Sequence, residues 1–517
     1  MSDRDPSTID VNSPAFWNNR KFRYVLLTCL VVYIFSAKGY IQITDTVCSV
    51  ETAQAIVSRG QLDVPCADRY TLRSPDGRCY SKYGIGLPAY YVPFVAAGSA
   101  LSGLIGQRTP LLYSGFHASV PPLTGFLISF ANIPFVILTL VAFGKLLRLF
   151  NISEECTSFL LLGLGLGTLT WRYGVHDFSE SMQMGLLMLA VYGVVRGTTR
   201  ALVVGGLAFG WLLLVKPVYA AFFPVCAVYL LTRPGNLRQR IRNASTFSIP
   251  FALACGLDAC LNIVRFGRVL ESGYGSESSQ FYPAQMWFTL PRLLGSFDKG
   301  LFIYCPLLLL SVFGWRKFTR SHHAEAVLCA MLVIENLIIA AAWHSWEGGQ
   351  CWGPRLLVPL IPLWFLPVAF LFHGWRFRQR IWILVLATTV SMLAQLPGIL
   401  VSDLQIASIK PEVAAPGKET FASSAYAAAL ILLRHKLSFG NEVYRSSEFH
   451  VGGNRTVDLS AHRTMQGLDL WTEHTARQYR VPALRYTPLV GLAIVAYFVL
   501  QIGRTLRRKT STEHCAS

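Results

Sequence analysis

Asp45 stands first among the residues of this sequence that could do chemistry, because it lies where the first long apolar run ends. Hydrophobic residues then recur at spacings of three and four between Val50 and Val57, which predicts a helix lying in the plane of a membrane surface. A carboxylate beside hydrocarbon loses contact with water, so its pKa should rise and suit it to general-base catalysis. The alternative is that Asp45 merely caps the N-terminus of that helix.

Lys82 is the second candidate, since it shortly precedes an apolar stretch, 88–105, that is interrupted by glycine and proline. A cation at the depth of the membrane surface attracts an anion, and a lipid phosphate is the natural partner there. Tyr80 and Tyr83 would line an apolar groove beside that phosphate, as candidate sugar or acceptor contacts. A lysine that extends to the interface within an aromatic belt is the alternative.

A cluster of ionisable residues follows where one apolar segment ends and the next begins. Ionisable groups at such a boundary are uncommon and usually face a cavity within the protein. His176, Asp177 and Glu180 are therefore candidates for binding sugar hydroxyls, an acceptor or a divalent cation, and Arg172 is a candidate phosphate ligand. Helix capping combined with a salt bridge to Arg172 would explain the same residues without a function.

A similar cluster further along the chain combines His344, Glu347, Trp352 and Arg355. Tryptophan faces stack on the C–H surfaces of sugars, although tryptophan also anchors proteins at membrane interfaces. The planar fork of an arginine suits two phosphate oxygens, which makes Arg355 a candidate phosphate ligand together with Lys82. The other three residues are candidate sugar or acceptor contacts.

The elements that must position these residues are membrane helices. Of the 517 residues, 53% are hydrophobic and 14% are charged, whereas soluble proteins have roughly 45–50% apolar and about 25% charged residues. The apolar segments predict an all-α polytopic bundle of about twelve (11–13) transmembrane helices. These segments are 24–42, 122–144, 157–173, 180–195, 201–216, 218–232, 245–264, 300–315, 325–343, 355–373, 380–398 and 486–503. The stretch 88–105 is interpreted as interfacial or re-entrant, with a further crossing as the alternative.

Lysine and arginine cluster between these segments, which predicts the orientation of the chain. Counting from a cytoplasmic N-terminus places every basic cluster inside, so the formal charge of +18 reflects membrane topology and not nucleic-acid binding. The predicted parts are a cytoplasmic tail at 1–23, a transmembrane catalytic bundle at 24–398, an extracytoplasmic segment at 399–485 that could form a small cap, and a last helix with a basic tail at 486–517. The outer loops of the bundle are 43–121 and 265–299, with short outer turns near 174–179, 217 and 344–354.

The sequence contains no P-loop and no glycine-rich nucleotide fingerprint, and the predicted cytoplasmic loops are too short for a nucleotide-binding domain. Any chemistry is therefore expected outside the cytoplasm. The cysteines show no zinc-binding spacing. Cys48, Cys66, Cys79 and Cys351 are predicted outside, where an oxidising compartment would allow Cys66 to pair with Cys79.

Four motifs, all on the predicted outer side, resemble those of the GT-C membrane glycosyltransferases. They are Asp45 followed later in its loop by Tyr80-Ser-Lys-Tyr-Gly-Ile-Gly-Leu-Pro88, Thr170-Trp-Arg-Tyr-Gly-Val-His-Asp-Phe-Ser-Glu-Ser181, Gly295-Ser-Phe-Asp-Lys-Gly-Leu-Phe-Ile-Tyr-Cys-Pro306, and Trp343-His-Ser-Trp-Glu-Gly-Gly-Gln-Cys-Trp-Gly-Pro-Arg355. Over about the first 370 residues the chain is similar to the aminoarabinose transferase of lipid A and to protein O-mannosyltransferases, and most similar to their uncharacterised bacterial relatives.

The resemblance implies that Asp45 corresponds to the catalytic acid of the family's first loop and Lys82 to its donor-phosphate contact. The sequence departs from the characterised enzymes at both places. Asp45-Thr46 stands where they often have Asp-Glu, and Lys82-Tyr-Gly-Ile-Gly-Leu-Pro where they have Lys-Pro-Pro-Leu or His-Pro-Pro-Leu. No cofactor is therefore certain, and a divalent metal is possible but not favoured.

The sequence thus predicts a glycosyltransferase of the bacterial inner membrane with its active site on the periplasmic side. It would transfer a sugar, with inversion, from a polyprenyl-phosphate donor to a hydroxyl of a lipid, glycan or protein acceptor. Asp45 would take the hydroxyl proton while Lys82, with Arg355 or Arg172, neutralises the departing phosphate. The main alternative is a transporter or lipid-glycan flippase that uses the intramembrane Asp258 and Glu335. A non-catalytic lipid-glycan scaffold is a third.

Overall fold

The computed structural model describes residues 19–67, 70–105, 120–372, 377–410, 420–437, 448–451, 455–458, 467–478 and 480–514. Parts of the predicted N-terminal tail, of the first outer loop and of the last outer segment lie outside the described residues.

The described chain is mainly helical, which confirms the predicted all-α class. The first half contains α1 (Arg20–Ser36), α2 (Thr44–Arg59), α3 (Gly86–Ile105), α4 (Pro122–Ile128), α5 (Ile133–Leu149), α6 (Glu154–Leu166), α7 (Leu169–Gly174), α8 (Glu180–Arg196), α9 (Thr199–Val215), α10 (Phe223–Thr232) and α11 (Leu237–Phe266). The second half contains α12 (Met286–Gly295), α13 (Leu301–Tyr304), α14 (Leu309–Ser321), α15 (His323–Ala342), α16 (Ile361–Phe365), α17 (Val368–Phe372), α18 (Phe377–Leu400), α19 (Asp403–Ile409), α20 (Ala425–Leu437), α21 (Trp471–Gln478) and α22 (Thr487–His514).

Short 3₁₀ helices and two small hairpins complete the described elements. The 3₁₀ helices are Pro217–Phe222, Gly275–Ser279, Pro283–Gln285, Pro306–Leu308, Arg355–Leu360, Phe421–Ser423 and Pro482–Tyr486. The strands are β1 (Thr71–Arg73) paired antiparallel with β2 (Cys79–Ser81), and β3 (Glu448–Val451) paired antiparallel with β4 (Arg455–Asp458).

Within the described residues, six helical segments are long and apolar enough to cross a membrane: Pro122–Leu149, Leu237–Phe266, His323–Ala342, Arg355–Phe372, Arg380–Leu400 and Pro482–Arg504. Shorter apolar helices are Thr199–Val215, Pro217–Thr232 and Ala425–Arg434. The chain is thus a multi-pass membrane protein, while the predicted count of crossings remains a prediction. The predicted spans 157–173 and 300–315 are not continuous helices, because the chain breaks at Gly167 and at Pro306.

Glycines set the spacing of the helices that carry the site. A Cβ at Gly193 in α8 would clash with the carbonyl oxygen of Ala201 in α9, and a Cβ at Gly206 would clash with the carbonyl oxygen of Phe247 in α11. Apolar attraction between helices is weak in lipid, so small residues that permit close van der Waals packing favour helix association. On its outward side α11 exposes Leu253 and Val264, an apolar surface suited to hydrocarbon.

The hairpin β1–β2 carries Lys82 at its end. A disulfide joins Cys66 to Cys79 across a sequence separation of 13 residues, the pairing that the sequence allowed. The backbone N–H of Lys82 donates to the carbonyl of Tyr70 at 3.0 Å and extends the hairpin by one contact. The loop between α2 and α3 is therefore held closed, which limits where Lys82 can lie.

The stretch 88–105 lies within α3, which packs against α4. The Tyr90 hydroxyl donates to the carbonyl of Ala131 at 2.9 Å, and Gly98 lies against Thr124 so closely that a Cβ there would clash. Whether this helix lies in the interface or crosses the membrane remains a prediction.

The last outer segment is attached to the bundle by buried ion pairs. Asp469, just before α21, pairs with Lys38 after α1 at 2.8 Å. Asp403 in α19 pairs with Arg172 in α7 at 2.7 Å. Since removing one partner of a buried ion pair is strongly unfavourable, both contacts fix the segment on the bundle.

Candidate active site

A cavity of about 740 Å³ lies where the predicted outer loops and turns meet. The polar and charged residues that line it include Asp45, Lys82, Tyr83, Glu180, Lys216, Tyr274, Glu277, His344 and Arg355. They come from five stretches that are far apart in the sequence and that were all assigned to one side of the membrane. Their convergence supports that assignment to a common side.

Asp45 lies in the first turn of α2 with its carboxylate directed at two partners. The Tyr83 hydroxyl donates to Oδ1 at 2.6 Å, and the Arg355 guanidinium donates to Oδ2 at 2.8 Å. The N-cap of α2 is Ile43, and the carboxylate of Asp177 accepts from the backbone N–H groups of Gln42 and Ile43 at 3.1 and 3.0 Å. The capping alternative for Asp45 is therefore wrong, because Asp177 binds the backbone at that helix end.

The protonation of Asp45 differs from the prediction. Burial raises the pKa of its carboxyl, but the positive charge of Arg355 and the Tyr83 hydroxyl outweigh burial, so that the pKa lies below its usual value. The predicted rise in the pKa of Asp45 is wrong because the prediction considered only desolvation. It did not include Arg355, a cation that lies 310 positions away in the sequence. Burial and the Asp45 charge raise the pKa of Tyr83, which therefore stays protonated and donates.

Arg355 binds two carboxylates at once. Its Nη2 lies 2.8 Å from Asp45 and its Nε lies 2.8 Å from Glu180, while the guanidinium stacks on the Phe178 ring at 3.9 Å. Glu180 begins α8, so the arginine ties α2 to α8. The position between these two carboxylates, which a divalent cation would take, is filled by the guanidinium. Among the described residues there is no group of three or more His, Cys, Asp or Glu that could hold a metal ion.

Lys82 faces the cavity within an aromatic surround. Its ammonium pairs with Glu277 at 3.0 Å and lies 5.4–5.9 Å from the ring centres of Tyr70, Tyr83 and Tyr274. These contacts go beyond what a lysine that merely extends to the membrane interface would make, since the partners of Lys82 come from two separate outer loops. The aromatic faces and the carboxylate together stabilise the positive charge of this partly exposed lysine.

Lys216 is a cavity residue that the sequence analysis missed. It follows the last residue of α9 and precedes Pro217, so its backbone turns at the end of an apolar helix. Its side chain lines the cavity, and no carboxylate of the described residues lies within 4 Å of its ammonium. A lysine at the outer end of a span runs against the positive-inside pattern, and that exception was the available signal.

The predicted cluster at 172–180 divides between the cavity and the protein interior. Glu180 lines the cavity, whereas Arg172, His176 and Asp177 are buried and do not line it. Arg172 and His176 bind Asp403 at 2.7 and 3.2 Å. The alternative explanation of the cluster included a salt bridge between Arg172 and its neighbours in the motif. That salt bridge does not form, because the Arg172 guanidinium pairs with Asp403 instead.

The remaining residues that were predicted to contact the sugar or the acceptor do not all lie at the large cavity. His344 lines the large cavity, and its Nε2 is buried without a hydrogen-bond partner among the residues that the structure describes. Tyr80 lies in β2 with its ring edge-on to Phe266 at 6.2 Å, outside the lining of the cavity. Glu347 and Trp352 line a second, smaller cavity of about 300 Å³.

Trp352 cannot stack on a sugar as the sequence analysis proposed. One face lies against the Tyr426 ring, with ring centres 5.3 Å apart and an interplanar angle of 27°. Gly398 packs against the indole so closely that a Cβ there would clash, and Tyr304 meets it edge-on at 4.9 Å. The ring is therefore part of the core between α18 and α20.

No protein-family model matches this chain, and no curated protein sequence does. Among solved structures it is similar to ArnT from Cupriavidus metallidurans bound to undecaprenyl phosphate, with 14% identity over 84% of this chain and 72% of that one, at a TM-score of 0.49. It is similar to the Archaeoglobus fulgidus oligosaccharyltransferase in the apo form, with 9% identity over 84% and 59% of the two chains, at a TM-score of 0.46. It is also similar to the archaeal oligosaccharyltransferase AglB in complex with an inhibitory peptide and a dolichol-phosphate, with 10% identity over 74% and 55%, at a TM-score of 0.39.

Proposed function

We propose that this chain is a glycosyltransferase that moves a sugar from a polyprenyl-phosphate donor to a hydroxyl group at the extracytoplasmic face of the bacterial inner membrane. The observation that carries the proposal is one cavity in which Asp45 lies together with Lys82, Lys216 and Arg355. The reaction requires a group that accepts a proton and cations that stabilise a departing phosphate, and this cavity contains both.

The donor phosphate binds between Lys82 and Lys216. The charge of Arg355 is already balanced by Asp45 and Glu180, each at 2.8 Å, so Arg355 has less attraction for an anion. Lys216 has no carboxylate within 4 Å among the described residues, and burial lowers the pKa of its ammonium group. A phosphate that binds beside it therefore stabilises its charged form. Lys82 exchanges Glu277 for phosphate, because that pair is partly exposed to solvent and such pairs contribute little to stability.

The lipid part of the donor has an apolar path to the same place. Val218, Phe222, Ile339 and Leu356 line the cavity on the side of the membrane helices. The polyprenyl chain can therefore remain in hydrocarbon while its phosphate reaches the lysines. Moving that chain into water would cost about 0.8 kcal/mol for each CH₂, which favours a reaction at the bilayer surface.

In the proposed reaction, Asp45 accepts the proton of the acceptor hydroxyl as the hydroxyl oxygen bonds to the anomeric carbon of the donor sugar. The bond from that carbon to the phosphate oxygen breaks, and its electron pair leaves with the polyprenyl phosphate. A single displacement on the face opposite the leaving group inverts the anomeric configuration. Tyr83 and Arg355 hold the two oxygens of Asp45 in place, so that the carboxylate is ionised and oriented before the acceptor arrives.

A divalent metal is not part of the proposal. Arg355 supplies positive charge at the position between Asp45 and Glu180 where a metal would otherwise bind. The guanidinium keeps its charge at every physiological pH. We therefore propose that this arginine, and not a metal ion, neutralises the two carboxylates of the site.

The transporter alternative depends on intramembrane carboxylates. Asp258 accepts a hydrogen bond from the Asn262 amide one helical turn later, at 3.0 Å. Neither Asp258 nor Glu335 is among the residues that line the cavity. The charged residues of the cavity thus favour chemistry on a lipid headgroup over movement of a proton along the bundle.

The test compares cells that express the wild-type chain, Asp45→Asn, or Asp76→Asn as a control carboxylate in an exposed turn of the same loop. Mass spectrometry of glycolipids, glycans and glycoproteins should show a glycosylated product with wild type and Asp76→Asn, and its loss with Asp45→Asn. Purified Asp45→Asn should still bind undecaprenyl phosphate. An unchanged product in Asp45→Asn cells would contradict the proposed role of Asp45 and favour the transporter.

A further inference from the structure

Glu277 pairs with Lys82 at the large cavity and therefore competes with any anion that binds this lysine. Both of its carboxylate oxygens accept from the Lys82 ammonium, at 3.2 and 3.0 Å. Glu277 lies in the 3₁₀ helix Gly275–Ser279 and Lys82 directly follows β2, so the pair joins two outer loops. We propose that Glu277 weakens the binding of the polyprenyl-phosphate product, and so promotes its release, by competing for Lys82. This proposal rests on the proposed glycosyltransferase function.

The product of the proposed reaction carries more negative charge than the donor. The donor is a phosphate diester with a single negative charge, whereas the released polyprenyl phosphate is a monoester with about 1.5 to 2 negative charges at neutral pH. The ammonium groups of Lys82 and Lys216, which are proposed to bind the donor phosphate, therefore attract the product more strongly. Without an opposing group, the product would occupy the site and delay the next donor.

The charged groups that line the cavity balance one another when no phosphate is bound. With His344 neutral, three carboxylates and three cations line the cavity: Asp45, Glu180, Glu277, Lys82, Lys216 and Arg355. Asp45 and Glu180 pair with Arg355, whereas Glu277 pairs with Lys82. Glu277 is thus the carboxylate of this lining whose partner is a proposed phosphate ligand.

The pair between Lys82 and Glu277 is suited to open and close. The two side chains are 13% and 35% exposed, and ion pairs in contact with solvent contribute little to stability. An incoming phosphate can therefore displace the Glu277 carboxylate into solvent. Once the phosphate is a product, the return of the carboxylate to Lys82 offsets part of the binding free energy that the product loses.

The backbone that carries Glu277 is held beside Lys82. The Glu271 carboxylate accepts from the backbone N–H of Gly273 at 3.0 Å, and Gly273 packs so closely against the Lys82 backbone that a Cβ there would clash. The displaced carboxylate of Glu277 therefore stays near the bound phosphate and repels it. This repulsion grows with the charge of the phosphate, so it acts more strongly on the product than on the donor.

The test measures lipid binding to the purified full-length protein in detergent micelles by native mass spectrometry. Undecaprenyl phosphate is the product probe, and its methyl ester, a diester with a single negative charge, represents the donor phosphate. Glu277→Gln should bind undecaprenyl phosphate about fivefold more tightly than wild type, and the methyl ester only about twofold more tightly. Glu277→Ala should act in the same direction. Asp76→Asn, which changes an exposed carboxylate of the first outer loop, is the matched control and should alter neither affinity.

A second background shows whether Glu277 acts through Lys82. Lys82→Met should weaken the binding of undecaprenyl phosphate. Adding Glu277→Gln to Lys82→Met should then strengthen binding less than it does in the wild-type chain, because the competition for the ammonium is already absent and only the direct repulsion remains. A merely structural role of Glu277 would weaken binding in both backgrounds.

Three results would overturn the proposal: weaker or unchanged binding of undecaprenyl phosphate by Glu277→Gln, an equal gain for both lipids, or an undiminished gain in the Lys82→Met background. The proposed function fails in a different way. If the wild-type chain binds neither lipid, or if Lys82→Met binds undecaprenyl phosphate as well as wild type does, the phosphate site itself is wrong. If both lipids bind and Lys82→Met weakens them, but Glu277→Gln does not bind the product more tightly, only the role of Glu277 is wrong.

Discussion

The large cavity and the buried ion pair between Arg172 and Asp403 are built from the same residue types, and one sequence motif contributes to both. From Thr170 to Ser181, Glu180 faces the cavity and binds Arg355, whereas Arg172 binds Asp403 inside the protein. Arg355 has 14% of its side chain exposed and Arg172 has 1%. Membership of a motif therefore does not decide whether a charged side chain acts on a ligand. The direction of the side chain and its partner decide it.

The two regions also depend on each other. Asp177, in the buried region, accepts from the backbone of Gln42 and Ile43, and its carbonyl accepts from Thr46. These contacts fix the start of α2, on which Asp45 lies. The buried region is thus a support that positions the base, and the cavity is where charge remains available for a substrate.

The largest effect should come from breaking the buried pair, with Arg172→Gln. This substitution leaves Asp403 buried without its cation, which typically destabilises a protein by about 3–5 kcal/mol. The apparent unfolding temperature of the purified protein should fall markedly, measured by the loss of soluble folded protein after heating. Activity per folded molecule should stay near wild type, because Arg172 does not line the cavity.

Arg485→Gln, which removes an exposed ion pair with Glu473, is the matched control and should change the unfolding temperature little. A folded and stable Arg172→Gln protein without activity would contradict the assignment of Arg172 to the buried region. It would instead support the sequence-based prediction that Arg172 binds the donor phosphate.

Arg355→Gln should differ from Arg172→Gln in that it strongly lowers the rate per folded molecule. A loss of stability should accompany it, because Glu180 is left buried without its cation. Without the guanidinium, Asp45 and Glu180 repel each other and the base loses its orientation. Removing one preorganised electrostatic contact typically costs about 100-fold or more in kcat. The measurement is the transfer rate with a saturating donor, with Arg59→Gln in the same outer region as the control. Wild-type activity should be unchanged by EDTA, and a metal requirement would contradict the role given to Arg355.

The cavity residues that belong to motifs could be predicted from the sequence. Residues whose role depends on a partner far away in the sequence could not. Asp45, Lys82, Glu180 and Arg355 were found because ionisable residues at membrane boundaries are uncommon. Glu277 was not, since the 265–299 loop has no periodicity that places one residue against another. The partner of Arg172 was also missed, because Asp403 lies more than two hundred residues later and no local pattern links them.

Lys216→Met should weaken donor binding more than it slows the chemical step. The lysine is proposed to hold the phosphate in both the ground state and the transition state, so its loss should raise KM for the donor about tenfold and lower kcat less. Lys145→Met, at the other end of the bundle, is the control and should change neither value. A loss confined to kcat would contradict phosphate binding by Lys216 and indicate a contact made only in the transition state.

Tyr83→Phe should produce the smallest effect, a shift in the pH dependence. In the wild type the pKa of Asp45 is below its usual value, so the base form persists at neutral pH and kcat/KM falls only as the pH drops below about 4. The Tyr83 hydroxyl stabilises the ionised form, so its removal raises the pKa of Asp45 and moves the acidic limb of the profile to higher pH. Arg355 still holds the carboxylate, so the rate at neutral pH should fall only a few-fold. The profile of kcat/KM from about pH 3 to about pH 8, which reaches below the usual pKa of a carboxyl group, measures this shift, with Tyr80→Phe, outside the cavity, as the control. A limb that moves to lower pH, or that does not move while the neutral rate falls, would mean that the tyrosine acts on the substrate and not through Asp45.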